Sequence, residues 1–150
     1  MAQPALSLRA RALRSLARRE HTRSELRRKL APHEETEGQL DALLDALQAQ
    51  GFLSDERAAA SLVHRRAARL GTQRLRQELQ AKGLDASTVD AALEGLGGTE
   101  LERARVLWER KFGAPAPDAA GRARQIRFLL ARGFASDTVR RVVRGVEDDF

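Results

Sequence analysis

The sequence contains no cysteine and no tyrosine, and only one tryptophan and one methionine. Without cysteine there is no disulfide framework, no thiolate metal site and no cysteine nucleophile, a usage that fits a reducing cytoplasm. With 4% aromatic residues there is no aromatic platform on which nucleic-acid bases could stack. No stretch approaches the ~20 apolar residues that span a bilayer, so no membrane partner is expected. No acid precedes Glu20, which gives the N-terminal segment the look of an organelle transit peptide. Those residues instead read as a helix needed for the core, and arginines interrupt every apolar run, which excludes a secretory signal.

Catalytic furniture is equally scarce. His21, His33 and His64 are scattered, with no pair four apart on one helix, and read as surface or capping residues rather than ligands. Glu34, Glu35 and Glu37 sit in a loop without the partners of an octahedral metal site. Gly95, Gly97 and Gly98 close a helix and lack the Lys-Ser/Thr of a phosphate-cradling loop. No glycine-flanked serine turn exposes a nucleophile. The expectation is a protein that is not an enzyme and needs no cofactor or metal.

What the sequence does have is helical periodicity. Leu40, Leu43, Leu44 and Leu47 fall on one face of a helix over about 37–50. Val89, Ala92, Leu93 and Leu96 repeat the spacing, as do Val139, Val142, Val143 and Val146. Thr22-Arg23-Ser24-Glu25 reads as a capping box ahead of Leu26 and Leu30. Ser54 and Asp55 read as caps of a helix carrying Ala59, Leu62, Val63 and Leu70. Gly83 and Gly133 close helices bearing Leu75 and Leu79, and Ile126, Leu129 and Leu130. Trp108, in line with Leu101, Ala104 and Phe112, is read as core. No segment alternates as a strand would, so the fold is all-α.

The pieces repeat. Leu75, Leu79, Lys82, Gly83, Leu84 and Val89 have counterparts fifty positions on at Gln125, Leu129, Arg132, Gly133, Phe134 and Val139. Three tandem three-helix modules follow, over about 5–51, 52–98 and 99–150, with about nine helices. Modules of roughly 50 residues bury little alone, so adjacent modules must pack or a partner must hold them, and an elongated array follows; a monomer is expected.

Net charge is +6, from 27 Lys+Arg against 21 Asp+Glu, and only Lys29, Lys82 and Lys111 are lysines. The charge alternates along the chain. Residues 1–30 carry nine bases and two acids, 31–50 five acids and no base, 51–84 seven bases and three acids, and 85–102 five acids alone. Register between modules would align the bases as a stripe. Its expected members are Arg27, Arg28 and Lys29 in the first module, and Arg57, Arg65, Arg69, Arg74, Arg76 and Lys82 in the second. Arg122, Arg124, Arg127 and Arg132 complete it in the third. Such a stripe fits sequence-independent contact with DNA phosphates or with an acidic protein surface.

Four blocks carry a family resemblance. Gly51-Phe52-Leu53-Ser54-Asp55-Glu56-Arg57-Ala58-Ala59 resembles the signature segment of the RecX family. Ala12-Leu13, Leu16, Arg19, Ser24, Glu25-Leu26 and Lys29-Leu30 resemble its N-terminal pattern. Arg74-Leu75-Arg76-Gln77-Glu78-Leu79 with Lys82-Gly83-Leu84 is similar to its central helix, and Phe128-Leu129-Leu130-Ala131-Arg132-Gly133-Phe134 to its C-terminal block. Two departures stand out: phenylalanine at 52 where the family often has tyrosine, and Ala31-Pro32-His33 in place of the usual lysine–glycine turn. The resemblance implies a regulator that binds the RecA recombinase, free or on single-stranded DNA, and damps filament growth, ATP hydrolysis, strand exchange and repressor cleavage. The motif residues Phe52, Leu53, Asp55, Leu79, Gly83, Gly133 and Phe134 read as mostly fold-forming. The alternative from the trihelical pattern alone is a sequence-specific regulator of helix-turn-helix type.

Overall fold

A computed structural model describes residues 6–144 and contains, among them, nine α-helices and no strand. The helices are α1 (Leu8–Arg18), α2 (Arg23–Leu30), α3 (Gln39–Ala49), α4 (Asp55–Arg66), α5 (Thr72–Ala81), α6 (Ala86–Leu93), α7 (Glu100–Lys111), α8 (Ala119–Ala131) and α9 (Ser136–Arg144). Val146 and the outermost module limits, 5 and 150, lie outside the described residues.

Two compact units form. One holds the described residues up to Ser61 together with Leu79–Val89, and the other holds Leu62–Glu78 with the described residues from Asp90 onward. In the first unit, α1, α2 and α3 pack together around Leu8, Ala12, Leu26, Leu30, Leu40, Leu44, Leu47 and Leu53. Their i, i+3, i+4 spacing turns one stripe of each helix inward. The capping box is present as read: Thr22 Oγ1 accepts from Glu25 N–H, and Glu25 accepts from Thr22 N–H. Pro32 lies in a 3-10 turn, Ala31–His33, that extends α2 and replaces the family's usual lysine–glycine turn.

In the second unit, α7, α8 and α9 enclose Ala104, Trp108, Leu129, Phe134, Val139, Val142 and Val143. Trp108 is core, and its Nε1–H donates to Gln125 Oε1 at 3.0 Å while Gln125 Nε2 donates to Ala114 O. That partnership explains a glutamine at a position where the repeat elsewhere has Leu75: a buried indole N–H needs an acceptor.

Several local readings change. Ser54 caps α4, its Oγ accepting from Arg57 N–H, whereas Asp55 Oδ1 instead takes the N–H of Arg23 at the start of α2, at 2.7 Å. Leu96 falls in a 3-10 turn beyond α6, because Gly95 at φ 83° ends the helix first. Phe52 is 50% exposed: its N–H and that of Leu53 both return to Leu47 O, and Leu53 takes the core position. Leu130, 42% exposed, is likewise outside the core. His21 is not a surface residue; it is 2% exposed, with Nδ1 against Arg19 O and Nε2 without a hydrogen-bond partner.

One joint occurs twice with a fifty-residue period. In the first unit, Lys82 O accepts from Thr22 Oγ1, and a Cβ on Gly83 would collide with the Ser24 side chain. In the second, Arg132 O accepts from Gly71 N–H, and a Cβ on Gly133 would collide with Arg74. Both glycines also have positive φ, so turn geometry and close approach each demand glycine there. An acid from the first turn of a later helix completes each joint. Asp55 caps Arg23 N–H in one, and Glu100 Oε1 accepts from Thr72 N–H at 3.0 Å in the other.

Candidate nucleic-acid interface

The expected basic residues do not share one role. In the first unit Arg27 Nη2 is 2.7 Å from Asp41, Arg57 Nε 3.0 Å from Glu20, and Lys82 Nζ 3.1 Å from Glu25. Arg57 also donates to Gly51 O, and Arg23 pairs with Asp45 at 2.7 Å. These bases fasten helices and turns to one another, so their charge is largely answered internally.

Arg28 and Lys29 are different. Successive helical residues turn by about 100°, so Arg27 and Lys29 leave α2 on nearly opposite sides. Among the described residues neither Arg28 nor Lys29 meets a carboxylate. Lys29 lines an open cleft of about 170 Å³ with Arg11, Arg14 and Arg18 of α1 and His33 of the 3-10 turn, over Leu6, Ser15 and Leu30. No acid is in that lining. The three α1 arginines were missed in the sequence, although i, i+3, i+7 is the same spacing that found the leucine faces.

Glu25 anchors this unit electrostatically. Burial alone would push its carboxyl up, but hydrogen bonds from Arg19, the Thr22 backbone and Lys82 outweigh it and hold the group at about 2. Burial also lowers the His21 imidazole from its ordinary value, against the opposing contact to Arg19 O.

In the second unit Arg65 is exposed on α4. Arg69 is not on that helix: α4 ends at Arg66, and Arg69 sits in the turn that returns its N–H to Arg66 O. The chain turns there because Gly71 must reach Arg132 O and because Arg103 Nη1 takes both Ala67 O, at 2.8 Å, and Leu70 O, at 2.6 Å. Arg103, which no pattern in the chain singled out, is thus a clamp on the end of α4. Burial lowers its guanidinium from the usual value, and Glu100 works against that.

The remaining candidates separate further. Arg74 is 3.9 Å from Glu78, and Arg76 pairs with Asp90 at 2.7 Å. Arg132 lies 5.1 Å from the Phe128 ring centroid, a cation–π contact. Arg122, Arg124 and Arg127 are exposed, but two residues apart on a helix means about 200°, so Arg122 leaves the side held by Arg124. Arg122 instead shares a cleft with Ile126, Val143, Arg140 and Arg144. Among the described residues no group of three His, Asp or Glu side chains could hold a metal, and no helix is long and apolar enough to cross a membrane.

Fold and surface together define a class: an all-helical protein of three-helix domains in tandem, with arginine-rich outer faces. The chain belongs to the RecX family. Family models for the first, second and third three-helix domains of RecX match residues 9–47, 54–93 and 99–143 in order. Relatives named regulatory protein RecX include that of Leptothrix cholodnii, 58% identical over 142 residues, covering 95% of this chain and 90% of the relative. That of Ralstonia pickettii is 50% identical, with 95% and 90% covered. That of Herminiimonas arsenicoxydans is 46% identical, with 99% of each covered. The crystal structure of RecX from Lactobacillus salivarius superimposes with a TM-score of 0.77, covering 93% of this chain and 94% of that one at 20% identity, and supports the fold alone.

Proposed function

We propose that this chain is a non-enzymatic, cytoplasmic negative regulator of the RecA recombinase. It binds the recombinase and its single-stranded DNA filament, as a monomer. By doing so it limits filament growth, ATP hydrolysis, strand exchange and the repressor cleavage of the SOS response, and so tunes recombination and DNA repair. Membership of a family of regulatory proteins, with all three domains present in order, is the observation that carries this reading. Exposed arginines without a carboxylate partner among the described residues, Arg65, Arg69, Arg124 and Arg127, support contact with a polyanion.

The test is a titration into a recombinase ATPase assay on single-stranded DNA at two salt concentrations. ATPase should fall with added protein, and fall less at the higher salt. Arg65→Glu with Arg69→Glu should weaken inhibition without loss of helicity; adding Arg76→Glu also breaks the Asp90 pair, so the double variant isolates the surface charge. An ATPase rate indifferent to the protein, together with tight binding to one duplex sequence, would replace this reading by the helix-turn-helix regulator.

A further inference from the structure

The α1–α2 cleft brings Arg11, Arg14, Arg18, Lys29 and His33 together with Leu30 in its floor and no acid in its lining. Most acids near it in sequence are engaged elsewhere, Glu20 with Arg57 among them, while Glu35 and Glu37 are exposed in the loop ahead of α3 and do not line the cleft. Asp41 and Asp45 face Arg23 and Arg27, Glu25 holds Arg19 and Lys82, and Glu34 Oε2 accepts from Leu40 N–H at the start of α3. Among the described residues no carboxylate pairs with Arg11, Arg14, Arg18 or Lys29, so their charge is left for an external polyanion.

We infer that this cleft is a nucleic-acid site taking the sugar–phosphate backbone of a single strand. Arg11, Arg14 and Arg18 form a row about 10 Å long on one face of α1, matched to about two or three successive phosphates of one strand. Guanidinium forks bind phosphate oxygens through paired N–H donors, and Lys29 closes the row from α2 as a point charge. Leu6 and Leu30 supply an apolar floor for sugar edges, and the lining offers no aromatic ring for base stacking, so the contact is blind to sequence. The inference deepens the nucleic-acid half of the proposed function and rests on it. It also assigns work to an arginine-rich helix that lies outside the expected stripe.

The test contains no recombinase, so its failure is distinguishable from failure of recombinase regulation. The full chain is titrated into a fluorescein-labelled oligothymidylate at several salt concentrations. Arg11→Glu/Arg14→Glu/Arg18→Glu should weaken binding at least tenfold. It should also make the salt dependence shallower by about 2 in log–log slope, three single-strand contacts at roughly 0.7 each. Should the reversal fail to fold, Arg11→Gln/Arg14→Gln/Arg18→Gln removes the same contacts with helix-compatible side chains and should weaken binding in the same direction. Arg105→Gln/Arg110→Gln/Arg141→Gln removes as much charge elsewhere and should leave affinity within about threefold, provided the site is local. Parental affinity in the cleft variants, or an equal loss in the α7–α9 control, overturns the inference. Cleft-dependent binding to poly-glutamate or to anionic phospholipid vesicles, with none to the oligonucleotide, overturns it in favour of an acidic protein or a membrane surface.

Discussion

The substitution Glu25→Gln separates charge from hydrogen bonding at the centre of the first unit. The new amide oxygen can still accept from Thr22 N–H, because glutamine completes a capping box as glutamate does. What disappears is the anion shared by Arg19, at 3.0 Å, and Lys82, at 3.1 Å. A carboxyl held at about 2 instead of its ordinary 4.5 corresponds to roughly 3 kcal/mol, at about 1.4 kcal/mol per tenfold change in proton affinity. The two bases are 45% and 38% exposed, so water screens them, and about 2 kcal/mol is the expected loss at pH 7. The folded pKa lies below the unfolded one, so the contribution is complete above about pH 4.5 and is lost as pH falls toward 2. Urea unfolding of both proteins at a series of pH values reads this directly. The parent should be more stable at pH 7, and the two should converge near pH 2. A gap that persists undiminished at low pH, or no gap at pH 7, would refute the electrostatic account.

Arg103→Met should cost about 2–3 kcal/mol in denaturant unfolding, since the carbonyls of Ala67 and Leu70 lose a charged donor; a cost under about 0.5 kcal/mol would mean that water replaces the clamp. Gly83→Ala and Gly133→Ala should each lower thermal stability more than Gly38→Ala, which shares the positive φ but meets nothing, and equal shifts would show that only φ matters. Ser54→Ala should cost about 1 kcal/mol through the lost cap of α4, and Asp55→Ala a similar amount through the uncapped Arg23 N–H, with effects that add in the double variant if the two caps are independent. His21, whose folded imidazole titrates below 6.5, supports full stability above that pH and loses it as pH falls through its folded value. His21→Phe should flatten the slope just below pH 6.5, above the range in which Glu25 acts, and an unchanged slope assigns the effect elsewhere.

Helices were legible because their cause is local. The leucine spacing of α3, the Thr22 box and the valines of α9 each act within a few residues, and each appears where the pattern put it. The fifty-residue repeat was legible too, but its meaning was not. Gly83 and Gly133 read as helix closers; their stricter duty, admitting the backbone to Ser24 and Arg74, involves residues about sixty positions away. Asp55 shows the same limit. Its neighbours in sequence made it a cap of its own helix, while its carboxylate serves another.

Charge was the least legible layer, for a reason that Arg27 and Lys29 make plain. Two residues apart on one basic helix, they count equally in any tally along the chain. One is answered by Asp41 across the α2–α3 packing; the other opens on a cleft where every titratable neighbour is a base. A segment's net charge sums over all faces of its helix, whereas a ligand meets one face and only the charge that internal acids leave unanswered. The acidic third helix of the first module therefore sorts the basic faces of α2 instead of merely cancelling their charge. By occupying Arg23 and Arg27, α3 answers one side of α2, while Lys29 is left facing the bases of α1 and Arg28 is left exposed without a carboxylate partner among the described residues.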